Sequence, residues 1–391
     1  MKLESPASND LFEHAPPAAI ERRLGLTRPN APNIGRRALI MVLVGWAPLV
    51  VLTGLHGLLT GPEPFLSLLR EIGVHARYLI AVPLLVVAEA ECAARLSRIT
   101  YHFMDSGIVP ESQRALFGEA IASTRRRLHA GAAEAAVPAL AYAVALLTMF
   151  TYATDQLPAW ARSGAGGLSL SLAGWWHTFV SLPLLLILIF GWMWRLLLWA
   201  RLLWLLARLD LQLVASHPDR AAGLGFLGQS TRAFSVVALA LAVIIAGRSA
   251  RFVLDHGNLP TPYLYGNIAS LAVLMMLFVA PLLMFSPRLM QAWRTGECDY
   301  GTLASRVGSA FEQKWLAPDT RIDRDALDRP DFSATTDLYA VVSNVHEMRF
   351  VPVSARDLAT LAAALLLPFI PVVLLAVPLE LVWKGVKSLL L

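Results

Sequence analysis

Charge is what this sequence has little of. Of its 391 residues, 16% are Asp, Glu, Lys or Arg and 56% are apolar, whereas an average soluble domain carries about a quarter charged residues. The apolar residues lie in long unbroken runs, which calls for a solvent other than water and argues against a large soluble core. Cysteine is equally scarce. Cys92 and Cys298 stand alone, which excludes a disulfide framework, and neither has His and carboxylate neighbours that would make a thiol site. Missing too are a Gly-Lys-Ser/Thr phosphate loop, a Ser/His/Asp order and a Cys-x-x-Cys pair, so the sequence gives no ground for calling the chain an enzyme. No cofactor and no metal site are expected. The net charge of +5 does not point to nucleic acid, because the arginines flank apolar runs, where membrane topology places them.

What is there is a set of membrane-length runs. A spanning helix needs about 20 apolar residues to cross roughly 30 Å of hydrocarbon. Runs 38–59, 135–154, 172–194 and 263–286 meet this with no charge. Run 358–379 does so with Pro368, Pro371 and Pro378, which leave a kinked or re-entrant course open. Two more carry charge: 78–96 holds Glu89, Glu91 and Arg95, and 233–254 holds Arg248 and Arg251. The expected fold is therefore an all-α polytopic bundle of about seven transmembrane helices with amphipathic cytoplasmic helices, six spans if the last segment is re-entrant. Run 38–59 begins too far from Met1 for a cleaved signal peptide and is expected to stay in the membrane.

Basic residues set the orientation. With the N-terminus inside, 26 of the 33 Lys and Arg fall on cytoplasmic segments, the bias expected of an inner-membrane protein. The organisation read from this is a cytoplasmic segment 1–37, a membrane domain 38–286 with six spans and an amphipathic cytoplasmic insertion near 98–134, a cytoplasmic helical segment 287–357, and a terminal membrane helix with a short outer tail at 358–391. Arg125, Arg126 and Arg127 close the insertion and suit anionic lipid headgroups, though a snorkelling topology anchor explains them as well. Segment 287–357 is the part a protein partner would use; its Asp323, Asp325, Asp328 and Asp331 lack the Gly and Glu of a calcium loop and interleave with arginines. Apolar residues continue from the fourth run through Leu209, making a helix of about 54 Å that must tilt or protrude. Trp192, Trp194, Trp199 and Trp204 crowd its end in the manner of an interfacial belt.

Ionisable groups in hydrocarbon are costly and mark sites by default. Glu91 reaches Arg95 at i+4 and approaches Arg98 at i+7, which makes it structural. Glu89 points about 200° away and is expected near the midplane, paired with Arg248 or Arg251 or facing an aqueous cavity they help line. A register-fixing ion pair is the bland account of that trio, and a proton- or anion-handling site the functional one. In His217-Pro218-Asp219, Pro218 is expected to end a helix and Asp219 to cap the segment after it, with Gly223 and Gly225 turning the chain.

Three strings taken together resemble a group of uncharacterised bacterial multi-pass membrane proteins: Leu209-Asp210 through His217-Pro218-Asp219-Arg220 to Leu227, Tyr300-Gly301 to Ala304, and Met348-Arg349 to Pro352. The resemblance covers roughly the C-terminal half and implies a bacterial inner-membrane location without assigning an activity. Transporter or channel, membrane scaffold, and lipid-modifying enzyme remain the functional classes, the first favoured by Glu89, Arg248, Arg251 and by Pro48, Pro83, Pro183 and Pro281 within spans.

Overall fold

A computed structural model describes residues 34–151, 157–163, 170–316 and 330–376. Among them the chain is an all-α bundle, with no β-structure beyond an isolated bridge between Arg162 and Leu170. The first apolar run forms α1 (Ile34–Gly45) and α2 (Ala47–Thr60), followed by the short α3 (Glu63–Leu69) and α4 (Ile72–His75). A π-helical turn, Ala76–Ala81, leads into α5 (Val82–Asp105); α6 (Arg114–Leu128) and α7 (Gly131–Thr151) come after it. Next are α8 (Leu172–Trp176), a second π-helical turn at His177–Ser181, and α9 (Leu182–Ala207). The rest is α10 (Gln229–His256), α11 (Thr261–Val279), α12 (Ser286–Trp315), α13 (Asp331–His346), α14 (Ala355–Leu366) and α15 (Ile370–Ala376).

Six helical stretches are long and apolar enough to cross a membrane: Ile34–Thr60, Gly131–Thr151, Leu172–Ala207, Gly225–His256, Thr261–Trp315 and Ala355–Ala376. The charged run 78–96 covers the end of the π-helical turn and the first part of α5 and is not among the six, because Glu89, Glu91 and Arg95, with Arg98 just beyond, lower the apolar content of that helix. Its helix nevertheless packs inside the bundle, with Leu85, Val86, Ala88 and Leu96 buried. The centre is α10. Of its most apolar window 61% is buried, against 22% for α1–α2 and 17% for the terminal helices, so the outer helices turn apolar faces outward, as lipid contact requires. Around α10 stand α5, α14, α15, α11 and the Ala76–Ala81 turn. Gly247 lets that turn approach: a Cβ there would come within 2.6 Å of the Ala76 methyl.

The prolines have a local purpose. Pro48, Pro83 and Pro183 each stand in the first turn of a new helical segment, where a missing N–H costs least. Each also leaves the carbonyl four residues earlier without its helical donor. The Val44 oxygen is taken by Trp176 Nε1 at 3.1 Å and the Phe179 oxygen by the Tyr142 hydroxyl at 3.2 Å; beside them the Ser181 hydroxyl donates to the Gly45 oxygen at 2.7 Å. Breaks in single helices thereby become bonds between helices, and the same prolines need no hinge or gate to account for them.

Two expectations about the protruding segments change. Trp192 and Trp199 are fully buried instead of forming a belt, with Trp192 Nε1 donating to the Leu85 oxygen at 3.0 Å. Trp204 is exposed, with the Arg208 guanidinium 3.6 Å from its ring centroid. The helix before His217-Pro218-Asp219 ends at Ala207, well ahead of Pro218, because Arg208 closes it and an extended stretch comes next. The segment after 286 continues as α12 and packs on α13, while residues 317–329, with Asp323, Asp325 and Asp328, lie outside the described part.

Candidate functional site

Glu89 does not meet Arg248 or Arg251. Its two oxygens are taken by Arg195 at 2.6 Å and by Arg37. Arg37 directly precedes the apolar run 38–59, so Glu89 lies level with the start of that run. The side chains are 15% exposed for Glu89, 6% for Arg195 and 11% for Arg37, which makes this a closed trio that ties α1, α5 and α9 together. Arg248 and Arg251 are near the other end of α10. Arg251 pairs with Glu71 and, at 2.5 Å, with Asp255, because α4 and the π-helical turn pack there. Glu91 and Arg95 pair at 3.0 Å on an exposed face; Arg98 is outside that pair and borders a recess of about 480 Å³ with His102, Asp105 and Gln229. Arg125, Arg126 and Arg127 form the last turn of α6, and α6 is held to α9 by Arg201, which donates to Ser123 and Thr124 at 3.2 and 3.3 Å.

Another polar site surrounds the His217–Asp219 turn, which the sequence reads as a capped turn and not as a binding site. It is a recess of about 1220 Å³ where the end of α5, the start of α10, the connection 212–225 and residues 347–357 meet. Asp219 builds its floor. One carboxylate oxygen accepts from the N–H of Ala221 at 2.8 Å and Gly223 at 3.1 Å, the other from Gly225 at 2.7 Å, and His217 Nδ1 lies 2.8 Å from the first. Burial alone would raise the Asp219 pKa, but the backbone donors and His217 outweigh it and hold the carboxyl below its ordinary value. This turn forces Arg220, Ala222 and Gly223 to φ of 55°, 53° and 93°. Two of the three are not glycine, a conformation that persists only when its surroundings fix it.

Arg349 supplies much of that fixing. Its guanidinium donates to the Asp219 and Val353 oxygens at 2.7 and 2.8 Å, and its own N–H donates to the Arg220 oxygen at 2.7 Å. Arg220 pairs with Glu347 at 2.6 Å and Arg232 with Asp357 at 2.5 Å. Asp357 also closes a capping box with Ser354 at the start of α14. The charges of the recess thus neutralise one another, and the polar groups left facing its space are His102, Gln212 and Gln229, all exposed. Such a site offers neutral hydrogen bonding within a preset charge frame. Its local sequence signals are Asp219 with Gly223 and Gly225, and the Ser354-x-x-Asp357 spacing. Among the described residues no group of His, Cys, Asp and Glu is arranged to hold a metal ion.

A second recess, of about 730 Å³, opens at the opposite end of α10 and is lined by Glu71, Arg77, Arg248, Arg251, Tyr263 and Asn267 among others. Arg248 and Arg251 do share a cavity, but with Glu71 and without Glu89. Comparison of the chain with protein-family models, with curated proteins and with solved structures finds no match. Fold and site together therefore define a multi-pass α-helical membrane protein with a polar recess at each end of its central helix.

Proposed function

We propose that this is a bacterial inner-membrane protein with a cytoplasmic N-terminus that acts as a membrane-embedded binding scaffold, holding a polar small molecule of low net charge in the recess around Asp219. The carrying observation is the interlock of Arg220, Arg232 and Arg349 with Glu347, Asp357 and the Asp219 turn, which presets the recess and leaves His102, Gln212 and Gln229 free to bind. Preorganisation of this kind lowers the ordering cost of binding. The three strings that carry the resemblance touch one another, through Arg349 on the Asp219 turn and the Tyr300 hydroxyl 2.9 Å from that of Ser216. The test is mass spectrometry of small molecules released from the purified, denatured protein. A polar metabolite is expected from the wild type and not from Gln229→Trp, which fills the recess; equal release from both, or none from either, contradicts the reading.

Transport is the second reading, and one observation favours it. The two recesses sit at opposite ends of α10, whose 28 residues span about 42 Å. Flux of the released metabolite into proteoliposomes would promote this reading over the first.

A further inference from the structure

The recess at the far end of α10 carries charge that its own residues do not cancel. Arg251 is shared by Glu71 and Asp255, leaving that trio one negative charge. Arg77 and Arg248 bring two positive charges to the same recess, and neither has a carboxylate within ion-pair reach among the described residues. Arg77 uses Nε on the Gly73 oxygen at 2.8 Å, while Arg248 is exposed with no hydrogen-bond partner among the described residues. One positive charge is left over.

Position makes this consequential. Arg248 is eight residues before the end of α10, about 12 Å along the helix, in a stretch apolar enough to lie in hydrocarbon. An uncompensated guanidinium there costs several kcal/mol unless water or an anion reaches it. The opposite wall is α11, with Tyr263, Gly266, Asn267 and Ser270. A Cβ at Gly266 would meet nothing, so the recess is not closed there by protein. Asn267 is steadied by its Nδ2, which donates to the Ser249 hydroxyl at 2.8 Å, and the Tyr263 ring packs against Phe252. Two guanidiniums beside neutral Tyr263, Asn267 and Ser270, with the nearby Glu71 carboxylate already held by Arg251, suit a tetrahedral oxyanion, which accepts their forked donors.

We infer that Arg77 and Arg248 form a binding site for a phosphate group, either the phosphodiester of a lipid headgroup or a free phosphate ester. This does not rest on the ligand proposed for the Asp219 recess. Its test uses the delipidated full chain in neutral detergent, with two probes. Phosphatidylglycerol binding is read by native mass spectrometry against phosphatidylcholine, and glycerol phosphate binding by the shift of the thermal midpoint. A lost charge-assisted hydrogen bond is worth about 1.5–3 kcal/mol, so Arg248→Gln is expected to weaken the probe that binds by about tenfold or more. Arg248→Lys should retain most of the binding, and Arg70→Gln, outside the recess, all of it. A loss confined to phosphatidylglycerol assigns the site to lipid, and one confined to glycerol phosphate assigns it to a soluble ester. If Arg248→Gln binds both probes as the wild type does, or Arg70→Gln loses as much, the inference is wrong. Far-UV circular dichroism of each variant separates misfolding from loss of the site.

Discussion

The two ion trios of this bundle are built from the same side chains in opposite proportion. Arg37–Glu89–Arg195 sets one carboxylate between two guanidiniums and is nearly sealed. Glu71–Arg251–Asp255 sets one guanidinium between two carboxylates, with Asp255 46% exposed and a recess beside it. Glu71 is as buried as Glu89, and it is the exposure of Arg251 and Asp255 that separates their roles. A buried trio repays desolvation through close pairing and so fixes helix register, whereas an open one stays available to solvent and to ligands. An ionisable residue within a span therefore marks a site only when its environment leaves it incompletely paired.

The largest expected effect distinguishes the trios directly. Glu89→Gln removes the buried carboxylate that Arg195 and Arg37 share and should cost about 3–5 kcal/mol. Glu71→Gln leaves the partly exposed Arg251 its pair with Asp255 and should cost less, about 1–3 kcal/mol, because Glu71 itself is buried. Chemical unfolding of both variants in one detergent makes the comparison, and equal losses would erase the distinction between sealed and open trios.

A smaller effect, with a pH signature, belongs to Asp219. Asp219→Ala orphans the donors of Ala221, Gly223 and Gly225 and should cost roughly 2–4 kcal/mol. Because the folded state holds this carboxyl below its ordinary value of 3.8, its contribution is complete above the unfolded pKa and is lost as pH falls through the lower folded one. The stability gap between wild type and Asp219→Ala should stay constant from neutral pH to about pH 5 and shrink in stronger acid. A gap that already shrinks at pH 6 would mean the turn does not hold the carboxylate as described.

Much of this architecture was legible in the chain and some was not, for physical reasons. The apolar runs gave the helices, because in lipid every backbone group must be satisfied within its own segment. Glu91–Arg95 was legible because it is local, four residues apart on one helix. The partners of Glu89 were not: Arg37 and Arg195 lie 52 and 106 residues away, and both read naturally as anchors at helix ends. The Asp219 turn was read only in part: Asp219 as a cap and Gly223 and Gly225 as turn glycines were legible, but what fixes the turn was not. Its left-handed Arg220 and Ala222 go against local preference and are held by Arg349, 130 residues from the Asp219 oxygen it binds. Prolines that suggested gating instead free carbonyls that other helices bond.

The roles given to both recesses depend on the α10 ends lying on opposite sides of a bilayer, and the native cysteines allow that to be measured. Cys92 is buried, whereas Cys298 is exposed on α12, which leads away from the end that holds Arg288 and the Asp219 recess. A membrane-impermeant maleimide should label Cys298 in inside-out vesicles and not in intact spheroplasts. Arg162→Cys, placed in a Cys298→Ser background, should show the reverse. Labelling of both positions from the same side would contradict the account.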